Sequence, residues 1–164
     1  SAIKEYESKL CKKLTKANSV IVSYRWIGYL NKTWNYNFDN GTFSTERQDL
    51  LRSRIDWLRK CSNKLIFISS FPELNKWPIN MKRINDISHS IDYQKHLLFN
   101  KPLEKIVSEI KDDKFVHINP INIICSLNNS CNEPLTELYY YDDDHMNYRG
   151  SMLLMPSIKK ELNQ

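Results

Sequence analysis

Three short apolar runs constrain the fold of this chain more than any other feature. They are Ser19-Val20-Ile21-Val22-Ser23-Tyr24, Lys64-Leu65-Ile66-Phe67-Ile68-Ser69-Ser70 and Lys114-Phe115-Val116-His117-Ile118. Each is rich in β-branched or aromatic residues and nearly unbroken, which suits strands buried on both faces of a parallel sheet. Helical patterns separate them. In residues 3–16, Tyr6, Leu10 and Leu14 recur at helical spacing, with Lys12, Lys13 and Lys16 outward and Ala17-Asn18 as the stop. From about Thr45 to Lys60, Leu51, Ile55 and Leu58 make an apolar stripe behind Thr45 and Gln48 at capping-box spacing. Residues 83–98 read as a further helix, and Pro102 suits the first turn of another over 102–111. Asn147 caps a terminal helix that runs to Leu162 and is kinked or halved by Pro156. This alternation predicts an α/β chain whose ligands gather at the C-terminal ends of its strands. Those ends are Tyr24-Arg25-Trp26, Ser69-Ser70-Phe71-Pro72 and the segment after Ile118. A long aromatic-rich loop, 26–43, lies beside the first of them.

The chain has 164 residues, enough for one domain that folds without a metal or a disulfide. No apolar run approaches the roughly 18 residues of a membrane span, and the N-terminus has no signal-peptide core. With 24 basic and 19 acidic side chains the net charge is +5, short of what makes nucleic acid the default partner. Only three glycines occur, where average usage of about 7% would give roughly eleven. Gly-rich phosphate loops and the Gly-x-Ser-x-Gly nucleophile elbow are therefore absent. Asparagine, 17 in number, takes turn positions that glycine would otherwise fill.

Of the four cysteines, Cys125 and Cys131 bracket a polar segment that reads as a surface turn. A bridge there would stabilise by about 2 kcal/mol in the chain-entropy model, and two free thiols fit the spacing equally well. Cys11 and Cys61 sit in helical patterns and read as buried thiols. No CxxC or HxxxH pair exists, so no metal is expected. His89, His96 and His117 have no partner at motif spacing and read as surface or satisfied core residues. The basic residues Arg47, Arg52, Arg54, Arg59 and Lys60 read as a solvated helix face.

The segment with most chemistry is Tyr139-Tyr140-Tyr141-Asp142-Asp143-Asp144-His145-Met146-Asn147-Tyr148-Arg149-Gly150. One turn of chain lets the Asp142 carboxylate reach the near ring nitrogen of His145 and leaves the far one free to take a proton from a hydroxyl. That is the base and orienter of a Ser-His-Asp triad. Alone, the spacing also fits an acidic surface turn beside an incidental histidine. In context, the block resembles the tyrosine-rich D-x-x-H-L-S-x-x-G-A ending of the SGNH (GDSL-like) hydrolase and acyltransferase superfamily. It is most similar to the periplasmic SGNH domain fused behind acyltransferase-3 membrane domains in polysaccharide O-acetyltransferases. Met146 stands for Leu and Asn147 for Ser. Residues 17–26, ending in Arg25-Trp26, are similar to that family's Arg-Trp strand. Ile68-Ser69-Ser70-Phe71-Pro72-Glu73 resembles its strand running into Pro-Glu, and Cys125 and Cys131 precede the acidic block as they do there.

The resemblance implies a three-layer α/β/α, flavodoxin-like fold with a mostly parallel sheet. It implies His145 as general base, Asp142 as orienter and a Cys125–Cys131 disulfide, with Arg25 and Trp26 as substrate-side residues. Trp26 fits a core position equally well, and Arg25 a structural ion pair. The family's Gly-Asp-Ser nucleophile block does not occur in the 164 residues. The chain is thus expected to be one N-terminally incomplete domain, 1–164, lacking the first strand and inactive alone. By resemblance the complete domain O-acetylates a bacterial cell-surface glycan such as lipopolysaccharide O-antigen. The acetyl group is relayed from the membrane domain at the periplasmic face of the inner membrane, with no cofactor and no nucleic acid. The rival readings are a carbohydrate esterase, a non-catalytic glycan-binding or docking remnant, and a basic aromatic nucleic-acid binder. The last is weakened because the +5 charge is spread along the chain.

Overall fold

The three apolar runs form β1 (Val20–Ser23), β2 (Leu65–Ile68) and β3 (Phe115–Ile118). They make one parallel sheet in the order β1-β2-β3, with Val22 opposite Phe67 and Phe67 opposite His117. The computed structural model describes residues 2–24, 26, 45–73, 93–127, 139, 140 and 145–163. Between the strands lie α1 (Ala2–Leu14), α2 (Thr45–Cys61) and α3 (Tyr93–Ser108). After β3 come α4 (Pro120–Leu127), α5 (Tyr148–Met152) and α6 (Met155–Leu162). The long loop expected over 26–43 lies outside the described residues, apart from Trp26.

The central strand behaves as a strand buried on both faces should, since every β2 residue is buried. β1 does not. Its burial alternates, and Ile21 keeps 45% of its surface exposed. The expectation of two-sided burial is corrected here because β1 is an edge of the described sheet. Leu65 and Phe67 of β2 pack with Leu51 and Ile55 of α2 and with Leu103, Ile106 and Val107 of α3. At about 25 cal/mol per Å2 of apolar surface removed from water, this cluster dominates the stability of its unit.

The described residues on either side of residue 100 form one helix, with Pro102 inside it, while residues 83–92 of the expected first helix lie outside the described residues. Proline removes a backbone donor and costs roughly 3 kcal/mol in a helix interior. Here Phe99 precedes it and Leu103, Ile106 and Val107 follow, all buried at helical spacing, and their packing outweighs the break. The terminal helix is halved as Pro156 predicts, with Pro156 in the first turn of α6. α4 is not expected from the apolar spacing. Its start is nonetheless marked, because Asn119 Oδ1 accepts from the Ile121 N–H at 3.2 Å and Pro120 opens the helix.

Cys11 and Cys61 are not buried thiols. They form a disulfide that ties α1 to the end of α2. Arg54 of α2 pairs with Glu7 of α1, and Asn63 Nδ2 donates to the carbonyls of Thr15 and Ala17 at 3.1 and 3.0 Å. The basic face of α2 is likewise laced rather than simply solvated. Arg52 pairs with Glu109, and Arg59 donates through Nε and Nη2 to Asp112 at 3.0 and 2.7 Å. The Lys114 N–H and then Arg59 hold the Asp112 carboxyl below its usual range.

The chain divides into two compact units that interleave along the sequence. One comprises Ser1–Ser69 with Lys101–Ile118, and the other Ser70–Asn100 with Asn119–Gln164. The sheet belongs to the first. Among the described residues no helix is long and apolar enough to cross a membrane.

Candidate functional site

The second unit holds the histidine block. Tyr140 and Met146 form an isolated antiparallel bridge. Tyr140 is fully buried and its hydroxyl donates to the Pro72 carbonyl at 2.6 Å. Burial, with Glu73 nearby, pushes that phenol far above its ordinary range, so it stays a hydrogen-bond donor. The bond joins two segments singled out in the sequence, the Phe71-Pro72-Glu73 loop and the tyrosine-rich block.

Downstream, the Asn147 N–H donates to the Tyr139 carbonyl at 2.8 Å. The Asn147 side chain caps α5 by accepting from the Gly150 N–H at 3.0 Å. Gly150 is buried against Tyr139, where an added Cβ would lie 2.4 Å from the Tyr139 oxygen and 2.6 Å from Met146 Cε. Only glycine lets the first turn of α5 approach so closely. The block is thus held at Tyr140, Met146, Asn147 and Gly150. His145 stands exposed between these fixed points, directly before the bridge residue Met146. An exposed imidazole on a pinned backbone suits proton transfer with an incoming hydroxyl. Asp142, its expected orienter, lies outside the described residues, as do Arg25 and Cys131. Cys125, half-buried in α4, is disulfide-bonded.

Trp26 takes the core alternative. It is 8% exposed, its indole N–H donates to the Ile68 carbonyl at 2.8 Å, and it stacks on Phe67 with centroids 4.6 Å apart. The ring is committed to the sheet and does not offer a face to a sugar.

The first unit contains a polar cluster that sequence spacing did not reveal. At the C-terminal ends of β2 and β3, the Ser69 hydroxyl donates to Glu104 Oε1 at 2.9 Å and lies 2.7 Å from His117 Nε2. Since the hydroxyl proton points to the carboxylate, Oγ accepts from an Nε2–H tautomer of His117. Burial lowers the His117 pKa and Glu104 opposes that shift. A Ser-His-Glu trio invites comparison with a hydrolytic triad, but the protons run the wrong way. The histidine donates to the serine instead of accepting from it, and Ser69 is wholly buried. The trio pins the sheet end and does not supply the missing nucleophile. Its members stand 35 and 48 residues from Ser69, separations that carry no motif signal.

Helices around a parallel sheet are the α/β arrangement of an SGNH-type, hydrolase or acyltransferase-like domain. The family model for the SGNH domain (fused to AT3 domains) matches residues 2–160, and the chain belongs to that family. No curated protein and no solved structure matches the chain.

Proposed function

We propose that this chain is the C-terminal portion of an SGNH acyltransferase domain that O-acetylates a bacterial cell-surface glycan. His145 is the general base and Asp142 orients it. A serine carried outside these 164 residues is acetylated by a donor passed on from the AT3 domain, and a sugar hydroxyl then takes the acetyl group. The observation that carries the reading is the match over residues 2–160, combined with the anchoring of the His145 block by Tyr140 and Gly150. The Cys11–Cys61 bridge supports an oxidising compartment, in keeping with the periplasmic face of the inner membrane.

Removing a triad serine costs on the order of a million-fold in turnover. The isolated chain is therefore expected to leave p-nitrophenyl acetate unhydrolysed above background. In cells making the intact gene product, His145→Ala is expected to remove O-acetyl signals from the surface polysaccharide in proton NMR. Retention of full acetylation by His145→Ala would overturn the assignment. A second reading, a non-catalytic glycan-binding remnant, is favoured by the absence of Gly-Asp-Ser from the chain. It predicts that His145→Ala leaves acetylation untouched while glycan binding by the isolated chain persists.

A further inference from the structure

α1 is an amphipathic helix held on α2 along one side, with Leu10 and Leu14 half-buried. None of its 13 residues is buried, and Ile3 and Tyr6 are 67% and 66% exposed. On a helix of about 3.6 residues per turn, Ala2, Ile3, Tyr6, Leu10 and Leu14 form one apolar arc. Cys11 and Glu7 mark the side turned to α2. Lys9 and Lys16 line the other side, and Lys13 projects into the arc itself, between Ala2 and Tyr6. Residues 2–16 carry five lysines against two glutamates, and both glutamates are paired, Glu7 with Arg54 and Glu5 with Lys9 at 2.7 Å. Lys4, Lys12, Lys13 and Lys16 are exposed.

We propose that α1 lies on an anionic bilayer surface. A second protein surface is the poorer fit, because lysine is depleted from the dry centre of protein interfaces. At a membrane the same lysine lays its methylene stem along the apolar arc and lifts its ammonium to the headgroups. An apolar stripe with aromatic and aliphatic residues, a lysine-rich border and low net hydrophobicity is the make-up of an interfacial helix. Charge complementarity names the lipid: anionic headgroups meet Lys13 and Lys16, which flank the arc. The disulfide and the Glu7–Arg54 pair hold the helix on α2, so less ordering remains to be done on binding. The proposal does not depend on the acyl-transfer reading.

The test is co-sedimentation of the oxidised 164-residue chain with phosphatidylcholine vesicles, with and without phosphatidylglycerol. Binding is expected only with the anionic lipid and should weaken as salt is raised. Each lysine near such a surface contributes roughly a fivefold effect, so Lys13→Glu with Lys16→Glu should reduce partitioning by at least about tenfold. Tyr6→Ser should reduce it several-fold. Both variants should keep the parent's circular dichroism and thermal midpoint, since these side chains are exposed. No partitioning into anionic vesicles, or equal partitioning of parent and variants, overturns the proposal. So does a Tyr6-dependent dimer in sedimentation velocity without lipid binding, which would assign the stripe to a second copy of the chain.

Discussion

Gly150 shows how one residue carries a constraint that is half visible in the sequence. Its place at the end of the histidine block marks it as part of the block. The reason lies in Tyr139, whose carbonyl occupies the space a side chain would need. Gly150→Ala should therefore destabilise the protein by about 2 kcal/mol, in the range of overpacked sites, read as a lower urea midpoint. An unchanged midpoint would mean that α5 moves away freely. Tyr140 is similar. Its place in the tyrosine-rich block does not show that Tyr140 is a buried strut whose hydroxyl reaches the Pro72 carbonyl, 68 residues back. Trp26 and Ser69 also become structural once their partners are known. His145 stays exposed.

At the scale of elements, local pattern identified the strands and the ends of most helices. It failed where packing outvotes propensity. Pro102 reads as a helix start because proline is comfortable there, but Phe99, Leu103 and Ile106 share one buried stripe and draw the helix through it. The first strand has the composition of a buried strand and sits at an edge, because composition does not say how many neighbours a strand has. The Cys11–Cys61 bridge had no local signature, its partners being 50 residues apart in two different helices. Closing a loop of that length stabilises by about 4 kcal/mol in the chain-entropy model. Cys11→Ser with Cys61→Ser should lower unfolding stability by roughly 3–4 kcal/mol, measured by urea denaturation without reductant. A loss under about 1 kcal/mol would show that α1 is held by the Glu7–Arg54 pair and the Asn63 bonds alone.

For the whole molecule, stability depends on a buried histidine outside the histidine block. His96 is buried beside Asn100, whose Nδ2 donates to the His96 carbonyl at 3.0 Å. Burial pushes the imidazole down to about 4 from its ordinary 6.5. The native state holds His96 neutral while the unfolded chain protonates it, so the stability present above pH 6.5 is lost as pH falls toward 4. The loss should reach a few kcal/mol, since each tenfold difference in proton affinity between the two states is worth about 1.4 kcal/mol. His96→Gln should flatten the urea midpoint against pH across that window relative to the parent. Parallel curves for both proteins would mean that His96 is hydrated in the native state.

Read alone, the chain already specified a parallel α/β sheet, the residues of its three strands, a histidine on an aspartate-rich block and the want of a nucleophile block. Those properties reside in neighbours along the chain, where spacing of 2, 3 or 4 residues decides which face a side chain takes. Tertiary structure alone decided that Cys11 meets Cys61, that Trp26 turns inward, that Ser69 sits between Glu104 and His117, and that α1 leaves Ile3 and Tyr6 exposed. Each depends on a contact between residues 35 to 50 positions apart, or on a face to which no described element was assigned. No periodicity encodes such distances, because they follow from the order in which strands take their places in the sheet.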